Sequence, residues 1–355
     1  MPAGYRARDR PGAGPVATSL LAVIAVAAFA AFPAGADARR RVPRTWPFAP
    51  PKGLRAAKAR DALPHFYADG RPCSVGCRAS GAIPGWPLRP FHRAHVLRAG
   101  LNELRTNNLH TGVDILARDG TPVYAVQGGR ARVLASRGSD ARVQVGQFVY
   151  WHIHPAVHEG QPVRPYSTVV GRVLRGQGHL HFSEVRGSVF LNPLRPGGRV
   201  LAPWRDRVAP VLGRPRFREG GAVAIKAFDP QSRGFRPVLA LAGLAYRLFD
   251  SRGHRVGPLR WALRGTQHLP DSQRRLVYAP GSRWPAAKCL MRRRKLCRPN
   301  WVYRLAGGLA PALRVRNRSV YTLTAYAWDW AGHVRARDTR FVVVNGEPFV
   351  SAGPG

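Results

Sequence analysis

The sequence predicts an all-β protein built from two successive β-rich regions, and three observations carry that expectation. From Trp86 onward, apolar residues alternate over short runs at Val123 to Val126, Ala131 to Leu134, Val143 to Ile153 and Thr168 to Leu174. Alternation over four to eight residues is the period of strands, whose side chains point to opposite faces in turn. Glycine and proline separate these runs, where they punctuate turns. A second set, Ala222 to Phe228, Leu244 to Phe249, Val320 to Trp328 and Phe341 to Val344, is spaced by turns at Asp229-Pro230, Ser251-Arg252-Gly253 and Ala331-Gly332. That spacing suits a β-sandwich.

In chain order, residues 1–38 have the layout of a secretory signal peptide. Arg6, Arg8 and Arg10 precede an apolar stretch from Val16 to Phe32, followed by Pro33 and the small-residue run Ala34-Gly35-Ala36-Asp37-Ala38. The expectation is a secreted, extracytoplasmic protein with no transmembrane span once the signal is removed. Residues 39–85 are rich in Pro, Arg, Ala and Gly without periodicity and read as a linker or extension. The two β-rich regions then occupy 86–202 and 205–346. Four cysteines form two close pairs, Cys73 with Cys77 and Cys289 with Cys297, which in an exported chain read as two local disulfides.

Lys and Arg total 57 against 18 acidic residues, a formal net charge of +39. Only five of these are Lys (52, 58, 226, 288 and 295), so the excess is arginine spread over every segment. Such a charge attracts polyanions, and a coding bias toward arginine accounts for it equally well. The run Arg292-Arg-Arg-Lys295 reads either as a phosphate-binding loop or as solvated charge.

Chemistry concentrates in three short pieces: Leu109-His-Thr-Gly-Val-Asp-Ile115, Val149-Tyr-Trp-His-Ile153 and Gly178-His-Leu-His-Phe182. Histidine and carboxylate are natural ligands of a catalytic zinc, which takes three protein ligands and leaves one position for water. Residues two apart on a strand share a face, so His179 and His181 project together, and the even step from His110 to Asp114 does the same in an extended segment. Spacing alone leaves two His-x-His pairs open as ligands, His152-Ile-His154 and His179-Leu-His181.

From Trp86 to about residue 200 the chain resembles the lysostaphin-like (LytM-type) zinc metalloendopeptidases, whose fold is called the duplicated hybrid motif. The family signature H-x-G-x-D, an apolar residue and then G-T-P-V-x-A-x-x-x-G stands here as His110-Thr-Gly112-Val-Asp114-Ile and Gly120-Thr-Pro-Val-Tyr-Ala125-Val-Gln-Gly-Gly129. Y-x-H stands as Tyr150-Trp-His152, and H-L-H-F as His179-Leu-His181-Phe182, with Asn192-Pro193 after it. Val157-His-Glu-Gly-Gln-Pro-Val163 and Val170-Gly171 match two further turns. The segment Tyr321 to His333 resembles the penultimate strand and turn of bacterial immunoglobulin-like domains.

The resemblance implies a LytM-type antiparallel β-sheet peptidase domain followed by an immunoglobulin-like sandwich. It implies His110, Asp114 and His181 as zinc ligands and His152 and His179 as catalytic histidines. The implied activity is hydrolysis of peptide bonds in bacterial peptidoglycan, stem peptides or cross-bridges, with anionic cell-wall polymers as further partners and no nucleic acid. The alternative within the family is a non-catalytic regulator or scaffold of wall hydrolases. Two loops, Ala135 to Phe148 and Leu174 to Gly178, are shorter than in relatives and border the expected substrate groove. His154 and His158 match no signature and read as surface residues.

Overall fold

The computed structural model describes residues 82–195, 198–218, 221–231, 238–283, 300–307, 317–345 and 347–350. Residues 1–81, with the segment read as a signal peptide and the Cys73 and Cys77 pair, lie outside them, as do Cys289, Cys297 and Arg292 to Lys295.

The chain is all-β, as its alternation predicts; helix is limited, among the described residues, to short turns such as Asp271–Gln273 and Arg274–Val277. The first region contains β1 (Leu97–Ala99), β2 (Val113–Leu116), β3 (Pro122–Tyr124), β4 (Gly129–Ala135), β5 (Arg142–Val145), β6 (Phe148–Trp151), β7 (Ile153–Pro155), β8 (Pro162–Val163), β9 (Val169–Val173), β10 (His179–Arg186) and β11 (Val189–Leu191). Eight of these form one sheet in the order β1-β2-β10-β6-β5-β4-β8, with β11 beside β10, and β3-β9-β7 form a second, three-stranded sheet. All described pairings are antiparallel.

Side chains from both sheets meet in one core: Val113, Ile115, Val143, Val145, Phe148, Tyr150, Leu180 and Phe182 from the larger, Val123, Ile153, Val170 and Val173 from the smaller. Strand β10 shows how the alternation is used. Leu180 and Phe182 enter the core, where Phe182 stacks on Phe148 at 5.4 Å between ring centres. Burying each such side chain contributes about 1.5–3 kcal/mol. His179, His181 and Ser183 therefore fall on the opposite face of the same strand.

The second region contains β12 (Val211–Leu212), β13 (Arg216–Phe217), β14 (Val223–Pro230), β15 (Val238–Leu239), β16 (Gly243–Asp250), β17 (Arg255–Arg264), β18 (Val302–Ala306), β19 (Val320–Trp328), β20 (Val334–Val344) and β21 (Glu347–Phe349). One sheet centres on β14, flanked by β12, β13, β15 and β18; the other runs β17-β16-β19-β20-β21. Val223, Ile225 and Ala227 of the first and Leu244, Leu248, Leu323 and Ala325 of the second enclose a second core.

Two sequence expectations are corrected. The run Val143 to Ile153 is three strands rather than one, because Gly146 turns with φ +56° and His152 breaks the extended path with φ +60°. Asp229-Pro230 is not a turn but the end of β14, where Asp229 pairs with Leu239 and Pro230 with Val238.

The two regions interlock around the loop from Gly100 to His110. Leu109 belongs to the second core, while Trp330, from the second region, belongs to the first. Asn102 Nδ2 donates to the Gln267 carbonyl at 2.8 Å, the Leu269 N–H donates to Asn102 Oδ1 at 2.8 Å, and Tyr278 Oη donates to the Asn102 carbonyl at 2.9 Å. Glu103, fully buried, accepts from the Gly100 and Ala240 N–H groups through Oε1 at 2.7 and 3.1 Å.

Candidate metal centre

Strand register assembles the site. His181 of β10 sits opposite Asp114 of β2 on one side and Trp151 of β6 on the other. His110 precedes β2, held by exchange of backbone hydrogen bonds with Asn102 and Glu103. His152 follows β6, and its left-handed backbone departs from the strand between β6 and β7. Non-glycine residues reach that conformation at an energetic cost, and such residues cluster at functional sites.

His110 Nε2, His181 Nδ1 and Asp114 Oδ1 converge: 2.8 Å between the two nitrogens and 3.0 Å from each nitrogen to the carboxylate oxygen. All three residues are buried. The other nitrogens of both rings are occupied. His110 Nδ1 donates to the Gly100 carbonyl at 2.8 Å, which fixes the tautomer with a lone pair on Nε2. His181 Nε2 meets Ser183 Oγ at 2.9 Å; with the hydroxyl accepting, the Nδ1 lone pair turns inward. Three inward-facing acceptors at these distances repel one another unless a cation lies among them. These residues could hold a metal ion.

Gly112, between His110 and Asp114, is required by close approach. A Cβ there would lie 2.5 Å from the Phe182 carbonyl oxygen, 2.7 Å from Ser183 Oγ and 2.9 Å from His181 Nε2. Any larger residue displaces a ligand or the hydroxyl that orients it.

Burial favours the neutral form of His110, His152 and His179. Burial pushes His110 down to about 3 against the pull of Asp114, and pushes His179 down to about 4, with Asp114 opposing and Arg98 reinforcing. His152 is lowered too, chiefly by burial. Burial opposes ionisation of Asp114, but His110, His179 and His181 outweigh it and hold the carboxyl well below the usual range. Arg105 Nη2 adds an ion pair to Asp114 Oδ2 at 3.3 Å.

His152 and His179 stand beside the ligand group, their ring centres 4.9 Å apart, with His179 Nε2 3.6 Å from Asp114 Oδ1. His152 Nδ1 donates to the Ser139 carbonyl at 2.5 Å, leaving Nε2 as an acceptor. His179 Nδ1 lies 2.6 Å from the Gln177 carbonyl and 2.7 Å from Arg98 Nη1. One nitrogen cannot donate to the first and accept from the second at once, so His179 has two tautomers within reach, each with a ready partner. A cleft of about 500 Å³ opens over this group and is lined by all five residues with Arg98, Arg105 and Trp151. A second depression of about 520 Å³, around Pro90, His95 and Pro203, contains no carboxylate and offers no comparable ligand set.

All five residues singled out in the sequence thus meet in one place, while His154 and His158 are exposed and stand apart. Tyr150 of the Y-x-H signature is structural: buried in the core, it accepts from the Val126 N–H at 2.9 Å. No family model, curated protein or solved structure matches the chain.

Sequence reasoning missed Ser183, Arg98 and Arg105. Ser183 carried a signal, since it follows His181 by two residues on one strand and so shares its face. Arg98 sits at a bulge in β1, where the register against β2 shifts between Leu97 and Ala99, and Arg105 lies in an irregular loop. Neither follows from a spacing rule.

Proposed function

We propose that this chain is a secreted, zinc-dependent endopeptidase of the lysostaphin-like type that hydrolyses peptide bonds in bacterial peptidoglycan, carrying an immunoglobulin-like sandwich behind its peptidase region. The observation that carries the reading is the convergence of His110 Nε2, Asp114 Oδ1 and His181 Nδ1 beneath a cleft that also presents two neutral histidines. Two imidazoles and one carboxylate match the donor set of catalytic rather than structural zinc, and all three residues line the cleft.

His110, Asp114 and His181 would hold the zinc, which would lower the pKa of a bound water toward about 7 and polarise a scissile carbonyl. The protein's own groups do the rest. His152, with its Nδ1 proton held on Ser139, keeps Nε2 as a proton acceptor at pH 7. His179 accepts a proton at Nε2 while Nδ1 donates to Gln177, or presents an Nε2 proton to a developing oxyanion while Nδ1 accepts from Arg98. Arg98 and Arg105 bring positive charge to the cleft wall, complementary to the carboxylates of wall peptides. The arginine-rich composition favours retention on anionic wall polymers.

The test is digestion of purified peptidoglycan followed by mass spectrometry of the soluble fragments. The reading predicts peptide-bond cleavage with intact glycan strands, stopped by a chelator and restored by zinc. Zinc-loaded protein that releases nothing from sacculi of several wall chemistries, yet stimulates a separate wall hydrolase, would instead make it a scaffold.

A further inference from the structure

A second group of titratable side chains lies away from the cleft. Asp206, in the segment joining the two regions, Asp329, just beyond β19, and His333, in the following turn, bring their ligand atoms within 4.8 Å of one another. Asp229, near the end of β14, is fully buried, and neither of its carboxylate oxygens has a hydrogen-bond partner among the described residues. The charges acting on Asp229 are those of Asp206 and Asp329, both negative. Asp206 Oδ2 is likewise buried without a partner, while its Oδ1 accepts from the Val208 N–H at 3.0 Å.

In a chain with only 18 acidic residues against 57 basic ones, two carboxylates, Asp206 and Asp329, lie together with no arginine ion-paired to them among the described residues. The neighbouring Arg199 donates instead to the Trp330 and Leu194 carbonyls, at 2.5 and 3.0 Å. Asp329 is held rigidly: Oδ1 accepts from the Ala331, Gly332 and His333 N–H groups at 2.7–2.9 Å, and Oδ2 meets His333 Nδ1 at 2.7 Å. An unpaired buried carboxylate is strongly disfavoured in its charged form. Burial first, then Asp206 and Asp329, push Asp229 well above the usual carboxylate range. Either a proton or a cation must compensate this group.

We propose that Asp206, Asp329 and His333 form a binding site for a hard divalent cation of the calcium class, which ties the inter-region segment to the turn after β19. The donor of the group with no hydrogen bond, Asp206 Oδ2, is a carboxylate oxygen, the chemistry that selects calcium over zinc. Calcium also tolerates irregular coordination, whereas magnesium requires a near-octahedral shell completed by several waters. The site is distinct from the histidine centre in both residues and ligand chemistry, and its test does not depend on peptidase activity.

The test uses zinc-loaded mature protein freed of other cations. Terbium is added as a calcium probe, with emission excited through tryptophan, since Trp204 and Trp330 lie two and one residues from the site in sequence. The expected result is saturable sensitised emission, displaced by calcium, together with a rise of several degrees in Tm on adding calcium. Asp206→Asn and Asp329→Asn should abolish both responses while zinc remains bound. If the cluster is instead neutralised by a proton on Asp229, wild-type protein ignores calcium and Asp229→Asn keeps or raises the Tm, and the proposal is overturned. Variants that respond to calcium as wild type does also overturn it. Should a variant fail to fold, the wild-type terbium and Tm responses still decide.

Discussion

The Leu109 N–H donates to Asp271 Oδ1 at 2.7 Å, across 162 positions of sequence. The bond anchors the residue immediately before the candidate ligand His110 to the second β-rich region, and His268 Nε2 adds a contact to the Leu109 carbonyl at 3.2 Å. The position of His110 in the candidate metal centre therefore depends on the second region. Asp271→Ala leaves a buried donor unsatisfied and should lower stability by about 1–3 kcal/mol. Zinc titration of the same variant should show weakened binding although Asp271 touches no ligand side chain.

Ser183 orients His181 through Nε2, and removing such an outer partner typically weakens metal affinity 10–100-fold. Ser183→Ala should show a loss of that order in competition with a chromogenic chelator. Gly112→Ala should be worse, because its Cβ displaces both Ser183 Oγ and His181 Nε2.

Glu184, on the same strand, is buried and receives both terminal nitrogens of Arg195, each at 2.6 Å. Arg195→Met strands the carboxylate in the interior and should cost about 3–5 kcal/mol in urea unfolding. Replacing both members, Glu184→Gln with Arg195→Met, should recover part of that loss.

Burial lowers the pKa of His268 below its unfolded value of 6.5, with the Leu109 carbonyl and Asp271 opposing. A lowered folded pKa means that the unfolded chain binds the proton more readily. This contribution to stability is complete above pH 6.5 and is lost as pH falls below it. Wild type should therefore lose stability relative to His268→Gln as pH drops from 6.5 toward 5, with a constant difference above pH 7. Melting curves across that range measure the difference, and a difference independent of pH would remove this assignment.

Much of the fold and most of the site were legible because both rest on short periodicities. Val320 to Trp328 matches its strand because nine β-forming residues run without a glycine, whereas Val143 to Ile153 breaks twice: at Gly146, which the sequence marks, and at His152, whose left-handed turn leaves no compositional mark. His110, Asp114, His152, His179 and His181 were visible as ordered motifs. Arg98 and Arg105 were not, since their roles follow from a bulge and a loop placed by tertiary packing. Asp206, Asp229 and Asp329 come from three separate segments, and no local pattern links them.

The central claim is that His110, Asp114 and His181 hold zinc while His152 and His179 move protons for peptide hydrolysis. The most direct measurement compares zinc content and release of new amino termini from peptidoglycan in wild type and His179→Ala. The account predicts one zinc per chain in both and turnover only in wild type, with His110→Ala losing both metal and turnover. Equal turnover in His179→Ala, or zinc content that follows His152 and His154 rather than His110 and His181, would contradict it.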